Sequence, residues 1–301
     1  MTPPFHSGFV CLVGRPNVGK STLVNRLVGR PVSITSPKPQ TTRQRVLGVC
    51  DHPAFQAVLV DTPGIHQARD AFNKRLVRYA LSALADADLT LLIVEPLSAQ
   101  RPEPGPEDAL VLERVRAAGA AAVLVVNKID LAPEADILAT LGHYGALGCF
   151  AELIPVSALT GRGVERLLGL LPAHLPPGPR YFEDQQWTDQ SEGALLGELV
   201  RQEVFRRTEQ EIPYSTAVRV EHMEDKGDLR VVHARIFVER ESQKGILIGK
   251  KGRMLRAIGE AARRKMESLL GCKIFLDLQV GVLADWSRDA RRMDQLGYPE
   301  V

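Results

Sequence analysis

Short apolar runs recur along the first half of the chain, each separated from the next by enough residues for a helix. FVCLV (9–13), FQAVLV (55–60), LTLLIV (89–94), AAVLVV (121–126) and FAELIPV (150–156) carry apolar residues on both alternating faces. Runs of this kind predict strands of a parallel sheet buried on both sides. The intervening stretches Ser21–Leu27, Asn73–Leu84, Glu107–Ala118 and Glu134–Leu147 are amphipathic, as is Val164–Leu171 after the last run. Arg45–Cys50 precedes Phe55 by only the turn Asp51–Ala54, so those two runs should form an antiparallel edge hairpin. The expected first domain is therefore α/β, a mostly parallel sheet with helices on both faces.

The pattern changes at LPPGPRYF (175–182), where clustered prolines and a glycine can continue neither a helix nor a central strand. A helix over about 193–210 follows, then two alternating strands split by EDKGD (224–228). A glycine-punctuated helical stretch (245–269), a strand Lys273–Val282 and a tail helix Ala284–Met293 complete an α+β unit. The expected boundaries are 1–178 for the first domain, 179–192 for a linker, 193–282 for the second domain and 283–301 for a basic tail. Two domains also suit a chain of 301 residues.

Composition narrows the function classes. Hydrophobic residues at 45% and charged residues at 25% exclude a largely disordered chain. The longest purely apolar stretch, Ala120–Val126, falls far short of the roughly 20 residues a membrane helix needs. The opening MTPPFHSG has neither the basic nor the apolar region of a secretory signal. Cys11, Cys50, Cys149 and Cys272 lie too far apart for metal-ligand spacing and read as reduced thiols of a cytoplasmic protein. The net charge of +2 hides one local feature: within Lys244–Lys265 eight basic residues face a single acid, Glu260. That directed patch suggests an anionic partner.

The chemistry begins at GRPNVGKS, Gly14 to Ser21, which fits G-x-x-x-x-G-K-[ST] and sits between the first strand and the first helix. Gly14 and Gly19 let the backbone curl so that successive amides, with those of Asn17, Val18 and Thr22, face phosphates. Lys20 is the candidate for charge between the β- and γ-phosphates, Ser21 for a Mg²⁺ ligand, and the helix N-terminus adds partial positive charge. DTPG (61–64) ends the strand FQAVLV; Asp61 can hold Mg²⁺ through water, and the Gly64 amide can sense the γ-phosphate. NKID (127–130) follows AAVLVV at the carboxyl edge of the sheet. Asp130 can accept hydrogen bonds from N1–H and the exocyclic amine of guanine, a donor pair that adenine lacks. A buried carboxylate would be left unpaired by the wrong base, which makes the choice selective. Asn127 braces that loop, the stem of Lys128 covers the base, and the backbone of Ser157, Ala158 and Leu159 points amides toward guanine O6.

Together, Gly14–Ser21, Asp61–Gly64, Asn127–Asp130 and Ser157–Leu159 resemble the motif set of the translation-factor-related GTPases. The resemblance implies a switch that hydrolyses GTP to GDP and phosphate. Between the first helix and the edge hairpin, ITSPKPQTTRQR (34–45) is the expected switch loop. Thr41 and Thr42 could each reach Mg²⁺; the family's effector-loop pattern favours Thr42. Ile65 stands where many GTPases carry the glutamine that positions the attacking water, so slow intrinsic hydrolysis is expected. In bacterial GTPases similar to this chain an asparagine at the place of Asn17 helps hold a potassium ion, which implies stimulation by K⁺. Lys20, Asn17, Thr42 and Gly64 are thus the expected catalytic group. His66 is expected to be structural.

In GILIGKKGRMLRAIGEAARRKME (245–267), GKKG (249–252) fits the G-x-x-G of a KH domain. Ile248, Gly249, Lys250, Lys251, Gly252 and Arg253 are the expected RNA-binding residues, with Ile246, Ile248, Leu255 and Ile258 lining an apolar groove for unstacked bases. The order helix–strand–strand–helix–helix–strand resembles the type II KH domain. A TrmE-Era-EngA-type GTPase domain followed by such a domain resembles the bacterial Era GTPase family over nearly the whole chain. The resemblance implies binding to the single-stranded 3′ end of 16S ribosomal RNA, a role in 30S subunit assembly, a monomer, and peripheral association with the cytoplasmic face of the cell membrane. The alternative reading is a membrane-associated signalling GTPase whose C-terminal domain binds a protein.

Overall fold

The computed structural model describes residues 4–68 and 70–300. They group into two units, one comprising residues up to Ser33 together with Thr42–Asp189, the other Ile34–Thr41 together with Gln190–Glu300.

The first unit is built on strands β1 (His6–Val13), β2 (Val46–His52), β3 (Phe55–Asp61), β4 (Leu89–Val94), β5 (Ala121–Val126) and β6 (Glu152–Pro155). Their order is β2-β3-β1-β4-β5-β6, parallel throughout except for the antiparallel β2–β3 edge hairpin. Helices α1 (Lys20–Val28), α2 (Ala71–Ala85), α3 (Pro106–Ala118), α4 (Glu134–Gly145) and α5 (Val164–His174) cover it. Alternation along the strands divides the core in two. Val10, Leu12, Leu91, Ile93, Val123 and Val125 pack with Leu23, Leu27, Leu167 and Leu171 of α1 and α5. Cys11, Val13, Leu92, Val94, Leu124 and Val126 pack with Ala80, Leu84, Val111, Val115 and Tyr144 of α2, α3 and α4. Local chemistry sets the helix ends: the Asp70 carboxylate accepts from the Asn73 amide at 2.8 Å to open α2, and Pro106 opens α3 while left-handed Gly119 closes it.

The segment expected to be a linker is largely an ordered strap on this unit. Ser7 Oγ donates to Pro179 O at 2.6 Å, and Gln56 Oε1 accepts from the amides of Tyr181 and Phe182 at 2.8 and 2.9 Å. Farther along, the Val49 amide donates to Trp187 O at 3.0 Å and Thr188 Oγ1 to Leu47 O at 2.7 Å. The prolines bar regular structure, so side chains and the free edge of β2 satisfy the backbone instead.

The second unit contains α6 (Glu192–Arg207), β7 (Ala217–Lys226), β8 (Leu229–Val238), α7 (Glu241–Ile248), α8 (Arg253–Leu270), β9 (Lys273–Val282) and α9 (Ala290–Gln295). The sheet runs β7-β8-β9, with β7–β8 antiparallel and β8–β9 parallel. Leu196, Val200 and Val204 of α6 pack with Val232 and Ile236 of β8 and with Leu247, Ile258 and Met266. Two expectations are corrected here. Ile246 and Ile248, in the last turn of α7 within the expected helical stretch, do not line the groove beside α8, and Ile258 is fully buried in the core rather than lining it. The tail helix is shorter than the pattern suggested and packs on its own unit: buried Trp286 donates Nε1–H to Ser215 O at 2.9 Å and stacks on Tyr298.

Residues 34–41 are tied to α6. Gln202 Nε2 donates to Thr35 O at 2.9 Å, Lys38 Nζ to Phe205 O at 2.7 Å, and buried Arg201 to Thr41 O at 2.5 Å. Among the described residues no helix is long and apolar enough to cross a membrane.

Candidate nucleotide and nucleic-acid sites

The loop after β1 requires its glycines for different reasons. A Cβ on Gly14 would lie 2.5 Å from Ile93 O, so close approach of two backbones excludes it. Gly19 has φ +98°, and its Cβ would lie 2.2 Å from the Asn127 side chain. Asn17 is also left-handed, with φ 66°. Lys20 opens α1 fully enclosed, its Nζ donating to Gly14 O and Arg15 O, both at 3.0 Å. Burial lowers its pKa to about 8 against the opposing pull of Asp61.

Three oxygens converge beside it. Ser21 Oγ donates to Asp61 Oδ2 at 2.7 Å and lies 2.8 Å from Thr42 Oγ1, which in turn lies 3.2 Å from Asp61 Oδ2. Asp61 Oδ1 is buried with no hydrogen-bond partner, and burial raises the carboxyl above its usual range despite the hydroxyl of Ser21 and the charge of Lys20. A carboxylate with a spare buried oxygen beside two hydroxyls is a hard-oxygen set of the kind Mg²⁺ takes. The Thr41 hydroxyl instead donates to Lys38 O at 2.8 Å. Thr42, and not Thr41, thus lies beside Ser21 and Asp61.

Gly64 sits against Pro16, where a Cβ would meet the Pro16 nitrogen at 2.7 Å. Ile65 is buried in the core beside Cys11 and Val60, so neither polarity nor position lets it handle water. His66 Nδ1 lies 2.8 Å from Gly64 O.

On the base side, buried Asn127 donates Nδ2–H to Val18 O at 2.8 Å, tying the two loops together. Its Oδ1 accepts from the Ala158 amide at 2.9 Å, and the Ser157 amide donates to Arg162 O at 2.8 Å. Those two amides are therefore engaged within the protein rather than pointing free toward a base. Asp130 is exposed, so the penalty for an unpaired carboxylate arises only once a base covers it.

In the second unit the GKKG loop turns through left-handed backbone: Gly249 and Gly252 adopt φ of 70° and 73° freely, and Lys251 at φ 55° is its one strained residue. A Cβ on Gly249 would meet Met254 Cβ at 2.9 Å. Lys250, Lys251 and Arg253 are exposed at its tip. Beside them a groove of about 420 Å³ runs between α8 and β9, lined by Leu255, Arg256, Gly259 and Arg263 on one wall and Phe275, Leu276 and Leu278 on the other. The β9 wall was not read from sequence: the run Ile274–Leu276 is apolar at every position and does not mark Phe275 as the exposed one. Phe275 is 56% exposed, an open aromatic face suited to stacking. The basic patch is smaller than the charge count implied, since Lys265 pairs with buried Glu203 at 2.6 Å and Arg263 with Glu267 at 2.9 Å.

Comparison with known proteins places both units in described families. A family model described as a 50S ribosome-binding GTPase matches residues 9–128, and one described as a KH domain matches 211–287. The chain is 48% identical over 297 residues to GTPase Era of Geobacter metallireducens, covering 98% of each, and 44% identical over 301 residues to that of Mycobacterium bovis, covering 98% and 99%. Among solved structures it is similar to Era in complex with MgGDPNP and nucleotides 1506–1542 of 16S ribosomal RNA, with TM-score 0.92 and 34% identity over 98% and 99% of the two chains. A variant of Aquifex aeolicus Era bound to GDP·AlF4⁻ gives TM-score 0.93 and 34% identity over 98% and 100%.

Proposed function

Because this chain belongs to the GTPase Era family, we propose that it is a GTP-hydrolysing switch whose KH domain binds single-stranded 16S ribosomal RNA near its 3′ end during 30S subunit assembly. The observation that carries the reading is the convergence of Ser21, Thr42 and Asp61 beside enclosed Lys20, in a chain that also presents the GKKG groove. Gly14–Thr22 would cradle the phosphates, with Lys20 turning its charge from two backbone carbonyls to the β- and γ-phosphate oxygens. Ser21, Thr42 and Asp61 would hold Mg²⁺, which supplies positive charge to those oxygens. The Gly64 amide marks the γ-phosphate, and Asn127, Lys128, Asp130 and the 157–159 loop form the guanine site. The KH match over 211–287 favours RNA over a protein as the partner of the second domain. We read the protein as cytoplasmic and monomeric; family resemblance alone supports peripheral membrane association. GTP turnover measured with and without a 16S 3′-end oligonucleotide tests the whole reading: turnover should be specific for GTP and the oligonucleotide should bind, and loss of either result sinks it.

Thr42→Ala should weaken Mg²⁺-dependent GTP binding and hydrolysis by about tenfold, the worth of one contact to a charged group, whereas Thr41→Ala should stay within about twofold. Turnover across a MgCl₂ titration checks this, and equal effects of the two variants would contradict the placement of Thr42.

Potassium forms a separate part of the proposal. Buried Ile65 supplies no polar group to the hydrolytic water, and left-handed Asn17 lies in the phosphate loop at an exposed position. Hydrolysis should run faster in KCl than in NaCl at equal ionic strength, and Asn17→Ala should remove the difference. Equal rates for the parent protein would remove potassium from the account.

A further inference from the structure

Sheet order brings three loops together at one edge. β1, β4 and β5 are adjacent and parallel, so the segments leaving their carboxyl ends are neighbours: the phosphate loop, residue 95 and NKID. Glu95, the first residue past β4, uses both carboxylate oxygens there. Oε2 accepts from Arg15 of the phosphate loop, and Oε1 pairs with the Lys128 ammonium. Arg15 Nε also donates to Asp108 of α3 at 3.2 Å, and the Asp108 carboxylate is nearly closed off from solvent. A continuous chain Asp108–Arg15–Glu95–Lys128 thus spans the phosphate side and the base side.

Every link in it is partly shielded: the side chains of Arg15, Glu95 and Lys128 are 27%, 26% and 34% exposed. At that burial, charge-assisted hydrogen bonds outweigh the weak pairs of an open surface. Despite the opposing effect of burial, hydrogen bonding from Lys128 and the charge of Arg15 hold the Glu95 carboxyl below its usual range. Lys128 needs such a partner, because its backbone is left-handed at φ 64° and its four-carbon stem would otherwise sample many rotamers.

The geometry points to Glu95 as a positioning residue for nucleotide binding: it pins the head of Lys128 so that the stem lies ready against the base, and through Arg15 it locks that stem to the phosphate loop. This inference rests on the guanine-site reading above. Pre-ordering a side chain lowers the cost of binding, and the gain belongs to affinity rather than to the hydrolytic step.

The experiment is a double-mutant cycle on the full chain, with GDP affinity read by titration calorimetry and GTP turnover measured alongside. Glu95→Gln, nearly isosteric, should weaken GDP binding about tenfold, and the charge-free Lys128→Met should do the same. The double variant should lose little beyond either single one. For Glu95→Gln the KM for GTP should rise by a similar factor while kcat moves less than twofold. Additive losses, unchanged GDP affinity, or a fall in kcat with KM unchanged would each overturn the inference. A melting curve for each variant separates unfolding from lost positioning, and Glu95→Asp, too short to span both cations, should fail to restore affinity in a folded protein; restored affinity would count against the inference. Asp130→Asn measured with GDP and XDP in the same series tests the guanine site by itself. If its base preference switches while Glu95→Gln binds normally, only the positioning role fails.

Discussion

Asp130→Asn is expected to weaken GTP binding by about 100-fold or more and to shift preference toward xanthosine triphosphate. Two hydrogen bonds to an ionised carboxylate are each worth on the order of 1.5 kcal/mol or more, and 1.4 kcal/mol is tenfold. Asparagine at that place keeps only a neutral Oδ1 to accept from guanine N1–H, and its Nδ2–H₂ then faces the exocyclic amine, donor against donor. Xanthine carries a carbonyl where guanine has the amine, and a carbonyl can accept from the new amide. The exposed position of Asp130 gives the variant no reason to unfold, so lost affinity would report the site itself. Titration with GTP and XTP checks it, and unchanged GTP affinity would remove Asp130 as the selector.

The second large effect is expected in the other unit. Replacing Lys250 and Lys251 by aspartates within GKKG should weaken binding of single-stranded RNA on the order of 100-fold at low salt, from two charge-assisted contacts of about 1.5 kcal/mol each. Both lysines are exposed at the loop tip, and the flanking glycines that hold the strained turn are kept. Each lost phosphate contact should flatten the log–log salt dependence by about 0.7. The slope should therefore fall by roughly one to two contacts' worth, while GTP affinity stays within about twofold. Filter binding across salt concentrations, with a nucleotide titration as control, reads both quantities. RNA binding equal to the parent's would remove this loop from the RNA site.

How much of this was legible in the sequence differs by element. LTLLIV and AAVLVV became β4 and β5 with the expected bounds, because a strand buried on both faces reads as a near-continuous apolar run. The edge hairpin was readable from a short connection alone. The wall of the groove formed by Phe275, Leu276 and Leu278 was not, since alternation in a strand says which residues share a face but not what lies across from them. Ile258 shows the same limit in reverse, because helical spacing could not say which apolar residue faces the core.

Several features needed local chain order only, and the sequence by itself determined them. The phosphate loop, the DTPG and NKID segments and the G-x-x-G turn are each contiguous, so backbone geometry and side-chain chemistry are written together. Tertiary structure alone decided what depends on distant pairs. It set Thr42 rather than Thr41 beside Ser21 and Asp61, tied residues 34–41 to α6, paired Lys265 with Glu203, and joined Arg15 to Lys128 through Glu95. The physical reason is that hydrogen bonds and ion pairs form between groups the fold brings within about 3 Å, and the loops that meet at a parallel sheet's edge are separated in sequence by whole strands and helices.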